Sequence, residues 1–184
     1  GLILSNQNAH RILHVIHRMR PGGIQTGVMN LYRHIYRNKI QFDFAVRSHQ
    51  HEYYDKEIIG LGGRLFHLPW NSKSPASLYA YKKQLRNILT REGPFLAVHS
   101  HVGLFSGHVL PIANEANIPI RLAHSHSASS DKNSLLRMIW AIMMRRSILN
   151  NATNMLTCST QAADWLYGPQ WKENSRIIRF PNAI

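Results

Sequence analysis

The sequence predicts an α/β fold: a Rossmann-like, doubly wound, mostly parallel sheet of about seven strands with helices on both faces. Three observations predict it. Short apolar runs alternate with amphipathic helical stretches along the whole chain. The connections are short, and glycine, proline or asparagine punctuates most of them. No repeat, low-complexity stretch or internal linker interrupts the alternation, so the 184 residues read as one domain.

The elements follow in order. Arg11–His17 (RILHVIH) is a first strand, broken by Pro21-Gly22-Gly23. Ile24–Tyr36 then places Ile24, Val28, Leu31 and Ile35 at helical spacing. Gln41–Val46 alternates as a second strand, and Tyr53–Leu61 is a short helix stopped by Gly62-Gly63. Arg64–Leu68 is a third strand, closed by Pro69, and Ser77–Arg91 is a helix ending near Gly93-Pro94. Phe95–Ser100 (FLAVHS) is a fourth strand, followed by a helix over Ser106–Ala116. Ile118–His124 is a fifth strand, and Asn133–Leu149 is a long apolar helix. Asn154–Cys158 is a sixth strand, Thr160–Tyr167 a helix capped by Ser159, and Arg176–Phe180 a seventh strand.

Composition narrows the chemistry. There are 22 Lys and Arg against 9 Asp and Glu, a formal charge of +13. Such a balance suits nucleic acid, anionic lipid or phosphorylated ligands. The basic residues are dispersed, however, with no run of five like charges and no interleaved aromatics, which argues against a nucleic-acid groove. Few carboxylates are left for acid–base pairs or hard-metal sites. The single cysteine, Cys158, excludes an internal disulfide framework and a multi-cysteine zinc site. A buried structural thiol is its simplest role, and a reducing, cytoplasmic setting is expected. No apolar run is long enough to span a bilayer, and no signal peptide is visible.

In an open parallel sheet ligands bind beyond the carboxyl ends of the strands. After the first strand come Gly22 and Gly23 and a helix start, an arrangement that suits a phosphate or serves as a plain tight turn. Neither the dinucleotide fingerprint nor a phosphate-binding G-K-[ST] loop occurs. After the fourth and fifth strands come His99-Ser100-His101 and His124-Ser125-His126, and His49 and His51 follow the second. Residues two apart share a strand face, so the first two pairs converge if their strands are neighbours. Three roles are open to them: zinc ligands, structural residues, or donors to a sugar hydroxyl or phosphate. The scarcity of nearby acids argues against hydrolytic zinc, for which Glu92, Glu115 and Asp131 are the only flanking carboxylates. Leu135–Leu149 (LLRMIWAIMMRRSIL) reads either as a core helix, with Leu135, Ile139, Ile142 and Met143 on the sheet, or as a basic apolar edge resting on a membrane. Trp70, Trp165 and Trp171 carry no pattern.

Arg11 to Arg33, with R-I-L-H-V-I, then Gly22-Gly23-Ile24-Gln25 and Asn30-Leu31-Tyr32-Arg33, resembles the first strand, glycine loop and first helix of glycosyltransferase family 4. The similarity is greatest to the bacterial group that builds capsule and exopolysaccharide. Ile40–Phe44, Ile59–Leu68, Ala97–Ser106, Ile120–Ser127, and Thr157–Trp165 with Arg176–Ile184 resemble further segments in the same order. Gln25 stands where glutamate is commoner and Ala183 where glycine is usual.

The resemblance implies the N-terminal, acceptor-side half of a GT-B enzyme. The nucleotide-sugar would bind mainly through a C-terminal domain carrying two closely spaced glutamates, and no pair with that spacing occurs here. It implies a retaining, metal-independent transfer from a nucleotide-sugar to a saccharide or lipid-linked acceptor, with no cofactor. This chain alone would then be inactive. By matching motifs, His124 is the catalytic residue, Gly22 and Gly23 form the donor phosphate loop, and His101, Ser125 and His126 lie on the acceptor side. The expected partners are the donor, the acceptor and an anionic membrane surface at the cytoplasmic face, with no nucleic acid. A basic nucleic-acid-binding module and a histidine-based metal-dependent hydrolase are the alternatives.

Overall fold

A computed structural model of the chain describes residues 9–71, 74–126 and 134–180. Seven strands form one all-parallel sheet: β1 (His10–Ile16), β2 (Ile40–Val46), β3 (Leu65–His67), β4 (Phe95–Ser100), β5 (Ile120–Ser125), β6 (Asn154–Thr157) and β7 (Ile177–Arg179). Their order is β3-β2-β1-β4-β5-β6-β7. The winding therefore reverses between β1 and β4, which opens a crevice at the carboxyl ends of the central strands.

Six α-helices connect the strands: α1 (Gly23–His34), α2 (Asp55–Gly60), α3 (Pro75–Arg91), α4 (Ser106–Glu115), α5 (Leu135–Asn151) and α6 (Thr160–Tyr167). Short 3₁₀ turns precede α4 and follow α6. The predicted class and element order hold, and boundaries move by a few residues. The expected start of the long helix at Asn133 lies outside the described residues. Local chemistry sets several ends. Ser74, Ser134 and Ser159 accept backbone N–H bonds at the starts of α3, α5 and α6. Gly62, at φ +93°, reverses the chain after α2 and lets the Gly63 N–H reach the Ile58 carbonyl.

Strand alternation sorts the core into two faces. On one, Phe42, Phe44 and Val46 of β2 pack under Val28, Met29 and Tyr32 of α1 and Ile58 of α2. On the other, Leu13, Val15 and Val98 meet α3 and α4, while Ala123 and Met155 meet α4, α5 and α6. Helices thus cover both faces, but unevenly. On the α1 face, Ile178 of β7 remains 50 % exposed. A buried charge ties the first three strands together. Asp43 of β2, fully buried, accepts two hydrogen bonds from the Arg11 guanidinium at 2.7 and 2.6 Å. It takes three more from Arg64, one from the backbone N–H at 2.9 Å and two from the guanidinium at 2.8 and 3.2 Å. Burial pushes its carboxyl up, yet these bonds outweigh burial and hold it below the usual carboxylate range.

The long helix departs from the core reading. Only Met144 and Ile148 of α5 are buried, against Ala152 and Met155. Leu135, Ile139, Ile142 and Met143 are exposed, and Leu136 is 80 % exposed. Apolar residues occupy most of the circumference of α5, so its sequence does not say which side packs. None of the described helices is long and apolar enough to cross a membrane.

Candidate active site

The strand register builds the site. His14 of β1 lies beside His99 of β4, and His99 lies beside Leu122 of β5. His124, two residues further along β5, therefore stands on the same face. His101 and His126 follow directly after β4 and β5, and the His101 N–H still bonds to the Val15 carbonyl at 2.9 Å. Five imidazoles so converge at the carboxyl rim of the three central strands. His99 stacks on His101 with ring centres 3.9 Å apart, and His124 stacks on His126 at 3.8 Å.

Hydrogen bonds run through this group. His14 Nδ1 faces His101 Nε2 at 3.0 Å, and His101 Nδ1 faces His126 Nε2 at 2.8 Å. His99 Nε2 faces His124 Nδ1 at 3.1 Å. A neutral imidazole has one donor and one acceptor nitrogen, so a neutral row satisfies each contact. Burial favours that state. It drives the His14 pKa down to about 3, with the nearby His124 adding to the effect. It drives His124 down to about 2, helped by His126 and His99. His99 and His101 fall well below the ordinary value for the same reason, and neighbouring histidines again contribute. Among the described residues, the buried Nε2 of His14 and Nε2 of His124 have no hydrogen-bond partner.

The predicted site residues do not all join this group. His101, His124 and His126 do. Ser125 sits between two of them, so the two-residue period turns it to the opposite face. There its buried hydroxyl donates to the Ala162 carbonyl at 2.6 Å and anchors α6. His49 and His51 are exposed beyond β2, where His51 lies 3.6 Å from Asp55. His14 is the member that the sequence reading missed. Its only signal was a histidine inside an otherwise apolar strand. The Cys158 thiol donates to the His126 carbonyl at 2.8 Å, a structural contact at the same rim.

Gly22 and Gly23 stand at the start of α1, whose first turn has no side-chain cap and no acidic residue. Its backbone N–H groups and dipole therefore favour an anion. The preceding loop is braced by Gln25, whose amide donates to the Arg18 carbonyl at 2.9 Å, a bond that a glutamate could not donate. His17, Arg18, Arg20, Pro21 and Gln25 line an open cavity beside it. A Cβ on Gly22 would approach the Gln25 Oε1 to 2.8 Å, whereas one on Gly23 would meet nothing.

Residues 22–183 match the model of the glycosyl transferase 4-like domain. The chain belongs to that family. It is 37 % identical over 186 residues to the Bacillus subtilis (strain 168) protein named "Putative glycosyltransferase EpsF", with 97 % of this chain aligned. It spans 46 % of that relative's length. Among solved structures, a glycosyltransferase from Rickettsia africae ESF-5 superposes with a TM-score of 0.67 at 15 % identity, covering 95 % of this chain and 43 % of that one. MurG from Acinetobacter baumannii superposes with a TM-score of 0.62 at 8 % identity, covering 96 % and 46 %. These two likenesses concern the fold, which is that of a GT-B half.

Proposed function

We propose that this chain is the N-terminal, acceptor-side half of a retaining glycosyltransferase. Its donor is a nucleotide-sugar, held mainly by a second domain. Its acceptor is a saccharide or lipid-linked saccharide of cell-surface exopolysaccharide or capsule synthesis. Family membership supports the reaction class. The observation that carries the site is His124, buried at the rim with an unpaired Nε2. Leaving a buried polar atom unpaired costs roughly 1–3 kcal/mol, and a sugar hydroxyl would remove that cost. In this reading His124 holds a hydroxyl of the donor sugar and His101 and His126 line the acceptor side. Gly22 and Gly23 offer backbone N–H groups to the donor phosphate.

The chemistry needs no cofactor and no metal in this reading. A row of neutral imidazoles offers hydrogen bonds without a fixed negative charge, and positioning with phosphate stabilisation supplies the rate. The test is transfer by the full-length protein from a panel of nucleotide-sugars to a lipid-linked saccharide in the presence of a chelator. Residues 1–184 alone are expected to transfer nothing. Chelator-sensitive transfer would overturn the metal-free reading, and saturable transfer by the 184-residue chain would overturn the half-enzyme reading.

The apolar outer face of α5 supports a place for the protein on an anionic membrane at the cytoplasmic side. Leu136 and Met143 are exposed there, with Arg146 beside them and the chain at +13. Such a face adds buried apolar area, and each basic residue near the surface adds about 1 kcal/mol. Arg145 is committed elsewhere, since its guanidinium donates to the Trp165 carbonyl at 2.7 and 3.0 Å. The chain is therefore expected to sediment with vesicles containing anionic lipid, to ignore neutral ones, and to be released by salt. Leu136→Gln with Met143→Gln should reduce sedimentation several-fold. Unchanged sedimentation would remove α5 from the contact.

A further inference from the structure

The histidine rim has a second chemical capacity, separate from sugar binding. Two groups of three, His14 with His99 and His101, and His101 with His124 and His126, each bring one nitrogen per residue within 4.8 Å of the other two. The second group is the accessible one, because His126 is only half-buried at the open edge of the crevice. We infer that His101, His124 and His126 form a three-histidine site for a borderline transition-metal ion such as Zn²⁺, and that a metal there blocks the sugar subsite.

Three features argue for it. First, imidazole nitrogen suits Zn²⁺, Ni²⁺ and Cu²⁺, whereas Mg²⁺, Mn²⁺ and Ca²⁺ need oxygen donors. The convergent ligand groups found among the described residues contain only histidine. Second, the three candidate nitrogens already lie within 4.8 Å of one another at the open end of the crevice, so one ion can reach all three. Third, the rings are held in place before any metal arrives. His101 is pinned by His14 at 3.0 Å, His124 by His99 at 3.1 Å, and the His126 ring by stacking on His124. Outer partners of this kind fix ring orientation at metal sites.

The proton count balances. The contact between His101 Nδ1 and His126 Nε2 holds one proton. A metal in its place moves that proton to another ring nitrogen, and both rings stay neutral. Three protein ligands leave a tetrahedral ion one position for water. The ion would take up His124, the residue given above to the donor sugar, so metal and sugar compete.

The test uses the 184-residue chain, stripped with a chelator and titrated with Zn²⁺, with Mg²⁺ as the control. Co²⁺ serves as a visible-spectrum probe of four-coordinate geometry. One equivalent of Zn²⁺ should bind, with no response to Mg²⁺ and with four-coordinate Co²⁺ bands. His126→Ala removes the rim ligand and should weaken Zn²⁺ binding by at least about 10-fold, since even outer-shell changes cost 10–100-fold. His49→Ala with His51→Ala should not. His124→Gln keeps the site polar if an alanine variant folds poorly, and should weaken binding likewise. No Zn²⁺ uptake, or uptake that survives both His126→Ala and His124→Gln, would overturn the site. The readout is binding alone, so it is independent of whether the sugar-transfer reading holds.

Discussion

In the full-length protein, His124→Ala is expected to lower kcat by roughly 10²-fold or more, the scale of losing one preorganised polar contact in a transition state. His49→Ala should leave kcat unchanged. The difference follows from placement. His49 is exposed on a loop outside the cluster. His124 is 5 % exposed at the carboxyl end of β5, with its Nδ1 on His99 and its ring parallel to that of His99 within 5°. Its orientation is therefore set before a ligand arrives, and its unpaired Nε2 is the atom free to meet one. A contact that strengthens as the sugar–phosphate bond breaks shows in kcat more than in KM. Circular dichroism of the variant separates this from unfolding. Equal, small effects from both substitutions would reduce the H-S-H segment to a structural role.

The fold was legible because its signal is local. Alternation of RILHVIH, QFDFAV and FLAVHS with helical stretches marks a parallel sheet, and Ser159 and Gly62 mark helix ends by their own chemistry. The convergence of the two H-S-H segments was legible only as a condition, since spacing does not say that β4 and β5 are neighbours. Strand order decides it, and strand order is a tertiary fact. His14 stayed hidden for the same reason: its hydrogen-bond partner His101 is 87 residues away in sequence. Ser125 was placed with its neighbours although the two-residue period of a strand already puts it on the other face. For α5 the sequence leaves two readings open, because apolar residues on most of its circumference do not name a buried side. The placement of Met144 and Ile148 against β6 and the 80 % exposure of Leu136 show which side packs.

Acid should unfold this domain early, with stability beginning to fall below about pH 6.5, where histidine ordinarily protonates. His14 and His124 are held neutral in the fold down to about pH 3 and about pH 2, and His99 and His101 also titrate well below their ordinary value. In the unfolded chain the same rings protonate near pH 6.5. Between those limits the unfolded state binds more protons, so stability is full above the unfolded value and falls as pH drops. Each histidine contributes up to ~1.4 kcal/mol per pH unit, and four acting together can exhaust a stability of 5–15 kcal/mol within about two to three units. Asp43 acts in the same direction but in a lower window, because its pKa lies below the usual carboxylate range. The measurement is urea unfolding between pH 7 and 4.5 with a chelator present, read as the slope of stability against pH. His14→Phe keeps an aromatic ring beside Phe42 and Phe44 but removes one titrating group. It also leaves His101 Nε2 without its partner, which lowers stability at every pH. The slope, unlike the midpoint, isolates the proton, and at the acid end of this range it should fall by up to about 1.4 kcal/mol per pH unit. A slope unchanged by His14→Phe, or a fold intact at pH 3, would mean that the histidine row accepts protons in the native state.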